Sequence, residues 1–174
     1  TRPIAWSPTE SAIEALFAFP WLGNERGEVG TMCIVILGGD GYLGWPTAMH
    51  FAARGDDVLV IDNYLRRRLA RETGSEPLLA TEELPARCDR YVALTGRRIA
   101  WRVMDCGEPG ALTDLFEAFR PDTAVHFAEQ PSAPYSMKGH DEVRRTRCNN
   151  RATTFELIWA VKRSAPQCRI MKLC

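Results

Sequence analysis

The feature that most narrows the possible fold is the junction between residues 33 and 44. Cys33-Ile-Val-Ile-Leu37 is an unbroken apolar run rich in β-branched side chains. Such a run suits a parallel strand covered on both faces. Gly38-Gly-Asp-Gly-Tyr-Leu-Gly44 follows at once, and Trp45 to Ala53 then reads as a helix. Pro46 is tolerated in its first turn, and Gly55 closes it. A strand, a glycine-spaced turn and a helix in this order form the context in which G-x-G-x-x-G (Gly39, Gly41, Gly44) has meaning. Gly39 permits a tight turn, Gly41 a close approach of main chain to a diphosphate, and Gly44 tight packing of helix on sheet. The helix start then offers free N–H groups and a partial positive charge to an anion. Gly38, Gly41 and Gly44 also fit G-x-x-G-x-x-G.

The remaining pattern extends this unit. Val58 to Ile61 is a second buried strand ending at Asp62. Residues 63–98 are mostly polar, with Arg66, Arg67, Arg68, Gly74, Pro77 and Pro85. This is too long for an ordinary connection and is expected to be an insertion with a helix of its own. Ile99 to Met104 is a third strand ending at Asp105. Glu108 to Phe119 is a helix with Leu112, Leu115, Phe116 and Phe119 on one face. Thr123 to Phe127 is a fourth strand, a long helix lies within Asp141 to Arg163, and a fifth strand begins at Arg169. The alternation predicts an α/β doubly wound parallel sheet with right-handed crossovers. The sheet is expected to be truncated after about the fifth strand.

Composition excludes several classes. The 174 residues fit one domain, and the formal net charge of +0 creates no overall field toward nucleic acid or anionic membrane. No apolar run approaches the roughly 20 residues of a membrane span. Aromatic residues do not interleave with Arg66 to Arg68, which also argues against a nucleic-acid surface. The six cysteines include no C-x-x-C pair, so no zinc or other metal site is expected. Without a secretory signal they fit a reducing compartment. Residues 1–31 carry several prolines and four glutamates and match neither a signal nor a transit peptide. They are expected to be a leader outside the domain, poorly ordered or with a short helix over Ser11 to Phe19. The domain itself is expected over 32–174.

Some site chemistry follows directly. Asp62, about 20 residues past the loop, can accept hydrogen bonds from adenosine ribose hydroxyls and would repel a 2′-phosphate. This favours NAD over NADP. The arginines after it point the other way, unless they are simply solvated. Asp105 has two open roles: partner of the adenine amine, or cap of the next helix. His126, mid-strand, is expected to be buried and hydrogen-bonded. Tyr135 has no lysine four residues on, and reads as a loop residue rather than a base.

Several stretches together resemble the UDP-sulfoquinovose synthases, which are similar in fold to nucleotide-sugar epimerases and share a Rossmann-type domain. They are Gly38-Gly-Asp-Gly-Tyr-Leu-Gly-Trp45, Asp62-Asn63 with Arg66 and Arg67, Ala93-Leu-Thr-Gly96, Val125-His-Phe-Ala-Glu-Gln-Pro-Ser-Ala-Pro-Tyr-Ser-Met137, and Asn149-Asn150. The resemblance spans about Met32 to Leu173. It implies NAD contacts at Gly38, Gly39, Asp40, Gly41, Tyr42, Gly44, Asp62, Asn63, Tyr64, Leu65, Arg90, Asp105, Cys106, Phe127 and Ala128. It places Gln130, Ser132, Tyr135 and Asn150 near substrate, with Glu129 as the candidate acid for eliminating water. It further implies UDP-glucose and sulfite as substrates, a homodimer at full length, and a cytoplasmic location, or a chloroplast stroma in a photosynthetic eukaryote. Where the family has an arginine between its glutamine and serine, this chain has Pro131, and Arg151-Ala-Thr-Thr154 replaces a small-residue pattern. The family's catalytic Thr, Tyr and Lys would lie past Cys174, so the fragment alone is expected to be inactive. Two other readings stay open: another NAD-dependent epimerase or dehydratase, and a non-catalytic NAD-binding fragment.

Overall fold

A computed structural model describes residues 30–173. The expectations for the leader, including a helix over Ser11 to Phe19, lie outside the described residues. The strands are β1 (Cys33–Leu37), β2 (Asp57–Asp62), β3 (Ile99–Val103), β4 (Thr123–His126) and β5 (Arg169–Lys172). The helices are α1 (Gly44–Arg54), α2 (Leu65–Glu72), α3 (Leu84–Thr95), α4 (Ala111–Phe119), α5 (Ala133–Ser136) and α6 (His140–Ser164).

The five strands form one parallel sheet in the order β3-β2-β1-β4-β5. β1 is central, pairing Cys33 to Leu37 with Asp57 to Ile61 on one side and Ile34 to Leu37 with Thr123 to His126 on the other. Its apolar run is explained by this position, since Ile34, Val35, Ile36 and Leu37 are completely buried. Val35, Leu37, Leu59, Ile61 and Ala124 pack against Leu112 and Phe116 of α4 and Leu157 and Ala160 of α6. The alternate residues of β1 and β2 face the other way, as the two-residue period of a strand requires. α1 packs on those two strands with Ala48, Phe51 and Ala52 buried. This is the doubly wound Rossmann-type arrangement. β1 has a neighbour reached in each direction, so the chain leaving β1 and the chain leaving β4 part company and leave a crevice at the carboxyl ends.

Element ends follow local chemistry. Gly55, at φ 99°, ends α1 in the left-handed conformation. α6 carries Asp141 and Glu142 in its first turn and Lys162 and Arg163 in its last, complementing the helix dipole at both ends. α4 starts at Ala111 rather than 108, because Pro109 precedes Gly110 and Gly110 sits at φ 79°. The insertion differs from expectation in holding two helices, α2 and α3. Pro85 lies in the first turn of α3, where its missing N–H costs nothing.

Candidate functional site

The glycine loop is shaped by what surrounds it. Gly38 has φ 87°, and a Cβ there would lie 2.7 Å from the carbonyl carbon of Phe127 and 2.8 Å from the nitrogen of Ala128. A side chain on Gly39 would strike Val60, and one on Gly44 would strike the Gly38 carbonyl. Gly41 is different: a Cβ there meets only the Gly38 oxygen, at 3.3 Å. Three of these glycines are therefore required by the fold, whereas a Cβ on Gly41 would meet one main-chain oxygen, tightly, and no side chain. The amides of Gly38 and Gly39 donate to the Ile61 carbonyl at 2.8 and 3.0 Å, tying the loop to β2. Among the described residues the amides of Tyr42, Leu43 and Gly44 have no acceptor. Bare amides at a helix start, beside a spot kept clear of side chains, fit a diphosphate.

Asp62 ends β2 against this loop. One of its oxygens accepts from the Asp40 amide at 3.0 Å and the other from the Tyr64 amide at 2.7 Å. Burial pushes its carboxyl above the usual range, opposed by those two hydrogen bonds. Each oxygen retains a lone pair for a ribose hydroxyl. Asn63 accepts from the Leu65 amide at 2.8 Å, which starts α2. Tyr64 takes a left-handed φ of 57°, and its hydroxyl accepts from the Leu84 amide at 3.1 Å. This joins the two helices of the insertion.

The Asp40 side chain turns to the insertion. Arg67 binds both its oxygens at 2.5 and 2.7 Å, and Arg87 reaches Oδ1 and the main-chain oxygen, each at 3.1 Å. The Arg87 guanidinium also lies 4.3 Å from the centroid of Trp45 on α1, and that of Arg66 lies 5.1 Å from Tyr42. Arg66, Arg67 and Arg68 were expected either to oppose Asp62 or to be solvated; Arg67 is instead fixed in an ion pair with Asp40, joined there by Arg87. Sequence reasoning missed this clamp. The only signal for it was the surplus of arginine in a segment following an acidic loop. Arg90 is placed elsewhere, paired with Glu82 at 2.6 Å and 68% exposed at its side chain.

Asp105 follows β3, and its Oδ1 accepts from the Gly107 amide at 2.8 Å. It shapes a turn and does not cap α4, whose cap position is Gly110. Cys106 is buried in the core beside it, and burial raises its thiol far above the usual range. Phe127 continues from β4 with its amide donating to the Leu37 carbonyl at 2.8 Å. With Ala128 it forms the wall against Gly38.

Beyond that wall the loop is held by α6. The Gln130 amide donates to Asn150 Oδ1 at 2.9 Å, and Asn150 Nδ2 donates back to the Gln130 carbonyl at 3.3 Å. Gln130 Oε1 accepts from the Ser132 amide at 3.1 Å, and Ser132 Oγ caps α5 by accepting from the Tyr135 amide at 3.2 Å. The buried Tyr135 accepts at its hydroxyl from Arg145 at 3.1 Å, and Arg145 also pairs with Glu72 at 3.1 Å. Glu129 forms an ion pair with Lys172 at the end of β5. His126, in register with Leu37 and Lys172, is fully buried, and neither ring nitrogen has a hydrogen-bond partner. The expectation of a hydrogen-bonded His126 is thus corrected. Burial, reinforced by the Lys172 charge, lowers its pKa to about 4. No helix among the described residues is long and apolar enough to cross a membrane, and no metal-binding cluster occurs among them.

Known proteins share this fold. Residues 34–172 match the NAD dependent epimerase/dehydratase family. The chain is 36% identical over 150 residues to a chloroplastic UDP-sulfoquinovose synthase of Spinacia oleracea, covering 86% of this chain and 31% of that protein. It is 39% identical over 142 residues to a UDP-sulfoquinovose synthase of Sulfolobus acidocaldarius, covering 82% and 36%. It thus spans about a third of the length of these relatives. A UDP-glucose 4-epimerase of Bifidobacterium longum, solved with NAD+ and UDP, superposes with a TM-score of 0.62 at 19% identity, over 80% of this chain and 36% of that one. With the glycine loop, the acid ending β2 and the switch-point crevice all in place, the chain belongs to the NAD dependent epimerase/dehydratase family.

Proposed function

We propose that this chain is the NAD-binding part of an enzyme that converts UDP-glucose and sulfite to UDP-sulfoquinovose. The observation that carries the cofactor reading is the set of unpaired amides at Tyr42, Leu43 and Gly44, set beside the clear space over Gly41 and the Asp62 carboxylate. The identities of 36% and 39% to two UDP-sulfoquinovose synthases support the choice of reaction.

When bound, NAD supplies a hydride acceptor and donor. The chain's own residues bind and orient it. The amides after Gly41 hold the diphosphate, Asp62 accepts from the ribose, and Asp105 has a free oxygen near the adenine end of the sheet. The resemblance also assigns cofactor contacts to Arg90, Cys106, Phe127 and Ala128. Of these, Phe127 and Ala128 wall the loop, whereas Arg90 and Cys106 are engaged elsewhere. On the substrate side, Gln130, Ser132, Tyr135 and Asn150 form one bonded group. Glu129, joined to Lys172, presents a carboxylate at the carboxyl end of β4. In this reading the assembled enzyme is a homodimer. The exposed apolar face of α6, with Phe155 63% and Ile158 55% exposed and Phe155 stacked on Trp159, supports that assembly.

The test is incubation of a protein containing this chain with UDP-glucose, NAD and sulfite, followed by mass spectrometry. UDP-sulfoquinovose is the expected product. A 4-epimer or a 4-keto-6-deoxy sugar would replace the reading with an epimerase or a dehydratase, the direction in which Pro131 points.

A further inference from the structure

The adenosine end of the crevice contains two opposed selectors. An acid at the end of the second strand rejects a 2′-phosphate, whereas an arginine nearby accepts one. This chain has Asp62, and it has Arg67 and Arg87 linked to it through Asp40. The Asp40 amide donates to Asp62 at 3.0 Å, while the Asp40 carboxylate holds both guanidiniums. Asp62 also lies within the electrostatic reach of Arg67.

The state of the arginines decides the outcome. Bidentate pairing with a carboxylate uses the same N–H edge that would grip a phosphate. Arg67 gives two donors to Asp40 at 2.5 and 2.7 Å, and two more to the carbonyls of Thr81 and Glu82, both at 2.7 Å. Arg87 gives Nη1 to Asp40, and its plane covers Trp45. The Asp40 side chain is only 9% exposed, so water competes weakly for these bonds. Two carboxylates and two guanidiniums then sum to no net charge beside the ribose.

We infer that Asp40 is a specificity-determining residue, occupying Arg67 and Arg87 so that the site keeps its preference for a ribose hydroxyl over a 2′-phosphate. The inference rests on the NAD reading above. Removing the Asp40 carboxylate leaves one net positive charge and two uncommitted N–H edges next to the position a 2′-phosphate would take.

Isothermal calorimetry with NAD and with NADP tests it, on the unaltered chain, on Asp40→Ala, and on Asp40→Ala combined with Arg67→Gln and Arg87→Gln. Asp40→Ala should shift the ratio of NADP to NAD affinity at least tenfold toward NADP, and the two arginine changes should reverse that shift. Arg67→Gln with Asp40 intact removes a positive charge and frees no guanidinium edge, so it should not move the ratio toward NADP; a merely structural role would weaken both dinucleotides alike. If Asp40→Ala loses its far-UV circular dichroism, the isosteric Asp40→Asn takes its place. NAD binding with an unmoved ratio in a folded Asp40 variant, or a ratio that moves toward NADP in Arg67→Gln alone, overturns the inference and leaves the cofactor reading standing. Failure of the unaltered chain to bind either dinucleotide overturns both.

Discussion

Gly41 and Gly44 lie three residues apart in one loop and do different work. A methyl group on Gly44 would press into the Gly38 carbonyl, whose carbon would be 2.9 Å away, and main chain cannot yield as a side chain can. Gly44→Ala should cost about 3 kcal/mol of stability, read as a lowered urea midpoint. Gly41→Ala meets only the Gly38 oxygen, at a tight 3.3 Å, and should lower the midpoint far less than Gly44→Ala. Its methyl would occupy the diphosphate position, so calorimetry should show NAD affinity reduced at least tenfold. His126 makes the second residue-scale prediction. An ordinary histidine titrates near 6.5, and this one titrates at about 4 in the folded protein. Between those values the unfolded chain binds a proton that the folded chain does not. Stability is therefore unaffected by this group above about pH 6.5 and falls as pH drops toward 4. The loss should reach on the order of 3 kcal/mol. Denaturant titrations from pH 7 to pH 4 should show this slope, and His126→Leu should flatten it.

Among the elements, the loop after β4 depends on α6 for its shape. Asn150 satisfies both the amide and the carbonyl of Gln130. Asn150→Ala leaves both without partners and should cost about 2 kcal/mol at roughly 1 kcal/mol per bond. Hydrogen exchange should speed up at the Gln130 amide in that variant while β1 stays protected. This level also separates what the sequence shows from what it hides. β1, β2 and the loop between β1 and α1 are legible because apolar runs and glycine spacing are local signals, and all five strands lie within a residue or so of expectation. α3 was merged into one long insertion because Pro85 is read the same way whether it breaks a helix or opens one. The pairing of Asp40 with Arg67 and Arg87 spans 27 and 47 residues. Three consecutive arginines give no hint which of them faces the loop until the phase of α2 is known. The bare nitrogens of His126 were equally hidden, because burial can be read from its apolar neighbours but a partner's geometry cannot.

At the scale of the whole molecule, the apolar face on α6 carries the prediction about assembly. Phe155 and Trp159 stack with ring centroids 6.4 Å apart and an angle of 6° between planes, and Ile158 lies beside them. If this face joins two copies, Phe155→Glu with Trp159→Glu should yield monomers by sedimentation equilibrium, with the circular dichroism spectrum retained. The sheet order carries a different consequence. β1 leaves the ribosome first among the strands, gains β2 soon afterwards, and waits about 90 residues for β4 to close its other side. At about 5–20 residues per second that interval lasts on the order of ten seconds. For that time the most water-averse strand of the molecule presents an unpaired edge to solvent, so nascent-chain holdases and slower translation, more than any change in final stability, should govern how much of this protein is recovered intact.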